Sequence, residues 1–236
     1  MTGGEQAQFG YAVSVHGDTV LIGSYGDPYA GEDSGSAHVF VRSDGVWSLQ
    51  AQLFAPEGLG GARFGYAVSI EDDVAVVGAY GVLPDGSNNG AAYVFNRQGS
   101  AWVAAETLTA ADAGEDGEGD DDFGYAVSIY GDTMLVGSPG DYTPMEMSGS
   151  VYVYRRNGGV WDFAQKIVPF DGAQGDAFGY SVALMGTTVA TGAFKDDSQG
   201  TDSGSVYTYE FKGTCSAEGE CVCHSGFSGM DCSVSF

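Results

Sequence analysis

The chain has 236 residues, 43% of them hydrophobic, enough to bury a substantial core as one domain with a small appendage. Eight Lys and Arg face 32 Asp and Glu, a formal net charge of −24 that excludes the basic footprint nucleic acid requires. The same charge disfavours anionic membrane surfaces and suits cations, basic partners or solubility alone.

In chain order, the first feature is the phrase Phe9-Gly10-Tyr11-Ala12-Val13-Ser14. It returns at Phe64–Ser69 and Phe123–Ser128, and as Phe178-Gly179-Tyr180-Ser181-Val182-Ala183, with steps of 55, 59 and 55 residues. A fixed period of this size predicts a repeat architecture in which each unit buries its apolar face against its neighbours. Each unit reads as four strands. Phe64–Ile70 and its equivalents form the first, followed by a polar turn such as Glu71-Asp72-Asp73. The second strands are Thr19–Ser24, Val74–Ala79, Thr133–Ser138 and Thr188–Ala193, apolar on both faces and so predicted to be buried on both. A Gly/Asp/Ser loop leads to the third strands at Ser36–Val41, Ala91–Asn96, Ser150–Tyr154 and Ser205–Tyr209. Gly-bearing hairpin turns then open a fourth strand at Trp47, Trp102 or Trp161. Four antiparallel strands in about 55 residues predict one propeller blade per repeat, close to the usual ~40–50. Gly23, Gly78, Gly137 and Gly192, after each second strand, are expected where strands crowd the central axis.

Phe-Gly at each repeat start, with Gly-Ser-Tyr, Gly-Ala-Tyr, Gly-Ser-Pro and Gly-Ala-Phe downstream, resembles the FG-GAP repeats of integrin α-subunit propellers. The resemblance covers residues 9–212 and implies an all-β, extracellular propeller that serves as a binding or adhesion platform rather than an enzyme. Integrin-type repeats carry an Asp-x-Asp-x-Asp-Gly calcium loop between the first two strands. Here that turn is only His16-Gly17-Asp18 or its equivalent, too short to supply the six to eight oxygen ligands calcium takes.

The fourth repeat has no Trp strand, so four blades that need 16 strands receive 15. Three arrangements are open: a fragment whose upstream part supplies the strand, completion in trans by another subunit, or a ring that tolerates one three-stranded blade. Residues 1–212 are therefore expected to form the propeller, and 213–236 a separate tail. In that tail, Cys221–Cys232 resembles the C-terminal half of an EGF-like module, which implies a Cys223–Cys232 disulfide. Cys215–Cys221 is then the remaining pair. A zinc site using His224 is the rival, though Cys-x-Cys with an eight-residue gap is poor zinc spacing. Disulfides place the chain outside the cytosol. Residues 1–20 hold no basic segment followed by an apolar one, and no apolar run approaches the ~20 residues of a membrane span.

Carboxylates gather in the loops between second and third strands: Asp27, Glu32 and Asp33; Asp85; Asp141 and Glu146; Asp196, Asp197 and Asp202. A second cluster, Glu115–Asp122, lies in the longer interval. Oxygen-rich loops suit calcium, and Asp27, Glu32, Asp33, Asp141, Asp196, Asp197 and Asp202 are the candidate ligands; a solvated acidic surface is the alternative. No Ser or Cys stands beside an evident base, so no catalytic group is expected. The function expected is a non-catalytic interaction or adhesion module with a protein or glycan ligand on one loop face. The alternatives are a structural subunit of an extracellular assembly, joined through its open blade, and lectin-like sugar binding.

Overall fold

Each repeat folds into one antiparallel sheet in the computed structural model, which describes residues 7–81, 89–112, 121–142 and 147–211, with the backbone of 213–215 and 221–223. The first blade holds β1 (Val13–His16), β2 (Thr19–Ser24), β3 (Ser36–Ser43) and β4 (Val46–Leu53), paired in that order. The second holds β5 (Ala67–Glu71), β6 (Val74–Ala79), β7 (Ala91–Gln98) and β8 (Ala101–Leu108). The third holds β9 (Ala126–Tyr130), β10 (Thr133–Ser138), β11 (Ser150–Asn157) and β12 (Val160–Ile167). The fourth has three strands, β13 (Phe178–Met185), β14 (Thr188–Ala193) and β15 (Ser205–Glu210). This is the β-propeller arrangement of four blades, and it is not closed: the innermost strands pack in the series β1, β5, β9, β13.

Two boundaries differ from the sequence reading. The first strands of blades one to three begin after the Phe-Gly-Tyr phrase, in which Gly10, Gly65 and Gly124 hold φ near 90°; Gly179 does the same, but β13 starts at Phe178 and takes the irregularity up as a register shift between Phe178 and Ser181. Residues such as Gly can hold that conformation at little cost. The third strands run two or three residues further, to Ser43, Gln98 and Asn157, because tight two-residue hairpins close the β3–β4 and β11–β12 pairs. Asp44-Gly45 and Gly158-Gly159 take positive φ at both positions, the backbone a two-residue hairpin favours. Each third–fourth pair also slips by one residue at the same place, between Val39 and Phe40, Val94 and Phe95, and Val153 and Tyr154. Such bulges add twist to the blade.

The core lies between blades rather than inside them. Leu21, Ala37 and Val39 of the first blade pack on Phe64, Val68 and Ile70 of the second. Val76, Ala92 and Val94 meet Phe123, Val127 and Ile129, and Leu135, Val151 and Val153 meet Phe178, Val182 and Leu184. The same side-chain hydrogen bond recurs at each junction: the Ile70, Ile129 and Leu184 N–H groups donate to Ser14, Ser69 and Ser128 Oγ. Three of the four glycines near the ends of the second strands do crowd, though against the next blade; Gly192 does not. A Cβ on Gly23, Gly78 or Gly137 would stand about 2 Å from the carbonyl oxygen of Gly65, Gly124 or Gly179. The two halves of the repeated motif therefore touch across the junction: the Gly after one second strand lies on the Phe-Gly of the next repeat.

The three tryptophans lie at the outer strands under arginines that close each blade's edge. Arg42, Arg97 and Arg156 cover Trp47, Trp102 and Trp161, and each also pairs with the aspartate of its own first turn, Asp18, Asp73 or Asp132. The aspartates of these pairs are exposed, so each pair contributes under about 1 kcal/mol. Beyond the blades, β16 (Gly213–Cys215) and β17 (Cys221–Cys223) pair with Cys215 opposite Cys221. The expected disulfides, the EGF-like resemblance and the His224 alternative rest on side chains and residues outside those described.

Candidate interaction surface

The tyrosine of each Phe-Gly-Tyr phrase stands one residue past the junction glycine, so the blade-to-blade stacking brings the four together. Tyr11, Tyr66, Tyr125 and Tyr180 form a row with consecutive ring centroids 4.8 Å apart. Tyr25, Tyr80 and Phe194, which follow the second strands, fill in beside them at 4.6, 4.4 and 4.2 Å. The third blade has Pro139 at that position. The result is a continuous aromatic ladder across all three junctions. Its ends, Tyr11 and Tyr180, are 51% and 39% exposed, and its middle is half-buried.

The ladder's hydroxyls bond among themselves, with Tyr66 Oη and Tyr125 Oη 2.7 Å apart. Burial first, then the neighbouring hydroxyls, push the Tyr66 and Tyr125 pKa values far above the usual range, and burial also raises that of Tyr80. These phenols stay neutral at any physiological pH, so they supply π-faces and hydrogen bonds and no nucleophile. The Arg63 guanidinium lies 4.9 Å over the Tyr80 ring, which shows that the ladder accepts a cation on its face.

The candidate carboxylates fall into two groups. Asp27, Asp141 and Asp196 occupy one position in three repeats, and each is tied into its own loop. Asp27 Oδ1 accepts the Tyr29 N–H and its Oδ2 the Ser36 hydroxyl. Asp141 accepts from Ser150, Tyr152 and Lys166. Asp196 accepts from the Ser198 N–H and the Tyr207 hydroxyl. These bonds, chiefly those of Ser198, hold the Asp196 carboxyl down to about 2 from a usual 3.8. The second repeat has Val82 in place of the aspartate and Ala91 in place of the serine, so acid and partner change together. That pairing was legible in the sequence and marks these aspartates as loop staples.

Glu32, Asp33, Asp197 and Asp202 lie around them. The Glu32 and Asp33 carbonyls accept the Gly61 and Arg63 N–H groups of the following linker. The Asp197 carboxylate accepts the Asp202 N–H. Among the described residues, no three His, Cys, Asp or Glu side chains gather in a way that could hold a metal ion. Asp85, Glu146 and residues 115–120 lie outside the described residues.

A second acidic position, on the linker between blades, also works through hydrogen bonds. Tyr152 and Tyr207 hydroxyls donate to Asp112 and Asp171, and Tyr93 faces Glu57 in the same register. Lys166 reaches both Asp112 and Asp141 at 2.7 Å, which holds the Asp112 carboxyl below its ordinary range and the Lys166 ammonium above its own. Of the histidines, exposed His16 lies 3.1 Å from Asp72, and His38 packs edge-on to Phe9. Neither stands beside a nucleophile.

The sequence pattern alone gave the repeated tyrosines no surface role. The ladder's signal was the third letter of the repeated phrase. A family model for the FG-GAP repeat matches the chain four times, over residues 3–40, 47–95, 102–154 and 161–209. No curated protein matches the chain.

Proposed function

Because this chain belongs to the FG-GAP repeat family, we propose that it is a non-catalytic protein-interaction module that works outside the cell and binds a basic partner on its aromatic ladder. The observation that carries this reading is the ladder itself: seven rings in tilted and edge-on contact, exposed at both ends, on a molecule of net charge −24. Tyrosine gives large, rigid contact area at little entropic cost and is enriched among residues that dominate binding energies. An arginine or lysine side chain laid on such a ring gains about 0.5–2 kcal/mol, and the acidic field speeds its arrival. The cation already seated on Tyr80 by Arg63 supports the chemistry.

The test is titration of Arg- and Lys-rich peptides, read by tyrosine fluorescence at two salt concentrations. Saturable, salt-weakened binding that drops about tenfold in Tyr80→Ala supports the reading, with circular dichroism confirming that the variant folds. Binding of neutral glycans in place of basic peptides would transfer the ladder to the lectin-like alternative. No response to either would remove the ladder as a site.

A further inference from the structure

The three junctions between blades share one design, a plug seated in a socket. In the first, Phe64 is fully buried, its N–H donates to the Ser34 carbonyl, and it bridges to Gly35. Neither glycine of the contact accepts a Cβ: one on Gly23 would stand 1.9 Å from the Gly65 carbonyl oxygen, and one on Gly65 2.2 Å from the Ser36 carbonyl oxygen. Phe123 and Phe178 repeat this on Gly90 and Gly149. The socket is thus made by the glycine near the end of the second strand and by the residues that lead into the third.

The fourth blade carries the same socket, and no described residue of the chain plugs it. Gly192, Ser203, Gly204 and Ser205 stand where the first blade has Gly23, Ser34, Gly35 and Ser36, and they line an open cavity of about 420 Å³. Tyr180, Phe194 and Val206 line it too. Val206 is 75% exposed, whereas its counterparts Ala37, Ala92 and Val151 are completely buried. A Cβ on Gly192 would meet only a side chain of its own blade, the Ser181 hydroxyl at 2.7 Å.

The first blade carries a plug that no described residue receives. A Cβ on Gly10 would meet nothing within 4 Å, whereas on Gly65 it would meet the Ser36 carbonyl at 2.2 Å. Val13 and Val15 are 67% and 66% exposed, against 9% and 5% for Val68 and Ile70 at the same register. The Gln8 backbone nonetheless already has the positive φ that Arg63, Asp122 and Ala177 adopt before their seated phenylalanines.

We propose that the socket of the fourth blade takes the Phe9-Gly10 edge of a second copy of this chain, so that copies join head to tail through a fourth version of the junction. The occupant follows from continuity with the three internal junctions: the edge that fits this socket is a Phe-Gly-Tyr edge, and the first blade presents one in the seated backbone conformation. Seating it would also extend the aromatic ladder, with Tyr11 of the incoming copy continuing the row past Tyr180. The terminal junction is weaker than the internal ones. Ala183 replaces the serine that accepts the cross-junction hydrogen bond, and Ala190 and Thr208 stand where the first blade has Leu21 and Val39. Association is therefore reversible and concentration-dependent. A contact between two different patches closes into a ring or continues as a filament, according to its rotation. Two copies would bring the blade number to eight, at the upper end of the usual ~4–8.

The experiment is light scattering on the full chain across a wide concentration range, with Val13→Asp to spoil the plug and Val206→Asp to spoil the socket. Both positions are exposed in a single copy, so each variant should fold, as circular dichroism would confirm. The wild-type mass is expected to rise from 24.4 kDa to at least twice that value. Each variant alone should associate about tenfold more weakly or worse, since docking would bury an unpaired carboxylate. Mixed in equal amounts, the variants should form a two-chain complex and nothing larger, because one keeps its plug and the other its socket. A wild type that stays monomeric at every concentration overturns the proposal, and so does association indifferent to both variants or not restored by mixing. A monomer whose melting temperature falls with Val206→Asp would assign the socket to a segment of the same chain and also reject the second copy.

Discussion

Replacing Gly78 by alanine isolates the contact that makes the repeats cohere. Gly78 has ordinary negative φ, so alanine meets no backbone strain there. In a strand, alanine is favoured over glycine by roughly 0.5–1 kcal/mol through the unfolded chain, so without a clash the change would stabilise. The clash decides the sign. The new Cβ would stand 2.0 Å from the Gly124 carbonyl oxygen and 3.0 Å from its carbon. Both are backbone atoms, held by the Gly124 N–H bond to Gly137 and by the fully buried Phe123. Relief requires the second and third blades to separate by more than 1 Å, which loosens the whole Val76–Phe123 cluster. Overpacking costs about 1–3 kcal/mol where side chains can adjust, and here the upper end or beyond is expected, a net loss of about 3 kcal/mol. For a chain of this length, that lowers the melting temperature by roughly 6–12 °C. Gly192→Ala is the control, because its Cβ meets only the Ser181 hydroxyl, which can rotate away. In dilute protein it should stay within about 1 kcal/mol of wild type. Thermal and urea unfolding by circular dichroism read both. Equal losses for the two variants, or no loss for Gly78→Ala, would refute the junction as the reason for these glycines.

Lys166→Met removes the cation between Asp112 and Asp141 and leaves Asp141, whose side chain is only 3% exposed, without it; urea unfolding should show a loss of about 3 kcal/mol. The Lys166 pKa is raised above 10.5, so its contribution is complete below that value and is lost only as pH rises through the folded-state value, which alkaline unfolding of wild type against Lys166→Met checks. The Asp196 carboxyl is depressed from 3.8 to about 2, so its contribution is present above pH 3.8 and is lost between there and pH 2; Asp196→Asn should flatten the acid limb of the stability curve in that window. Calcium at millimolar concentration should leave the melting temperature of EDTA-treated protein unchanged, because Asp27, Asp141 and Asp196 are already bonded within their loops; a rise of several degrees would restore the cation reading of these loops. Ser36→Ala should cost about 1 kcal/mol by taking the hydroxyl donor from Asp27 Oδ2, and adding Asp27→Val, which copies the second repeat, should recover part of it in a double-mutant cycle.

The blade architecture was legible because period and alternation are local signals that each repeat restates. The second strands fall at the expected residues, and the fourth blade has three strands, since Lys212-Gly213-Thr214-Cys215 offers no tryptophan-led strand. What escaped is what depends on a neighbouring blade. Glycine at position 78 suggests close approach, but only the stacked structure shows that the approaching atom is the Gly124 carbonyl. The bulge between Val94 and Phe95 leaves no composition mark, because it concerns register and not residue type. The acidic loops drew attention through charge, while the information lay in the paired change of Asp27–Ser36 to Val82–Ala91, which names a hydrogen bond.

The tyrosine row and the empty socket follow from one geometric fact. A repeat whose core lies between units must place its first motif half and its last on opposite sides, and stacking then aligns every residue next to the junction. Phe64 serves the core because it enters the socket, and Tyr66, two residues on, is left at the mouth of the same junction beside Tyr80. Packing thus writes a surface feature as a by-product: any chain that stacks Phe-Gly-Tyr repeats in this register lines the junction mouths with rings. The two roles separate at Tyr66, whose hydroxyl meets Tyr125 outside the Phe123 core. Tyr66→Phe keeps the ring and removes only the hydroxyl with its bonds to Tyr11 and Tyr125, so it should cost about 1 kcal/mol of stability and leave peptide stacking intact. Phe123→Leu should cost several times more while leaving the ring row in place in the molecules that remain folded. A ladder that binds partners obeys that separation under urea unfolding and peptide titration. One that only packs the blades would lose binding and stability together.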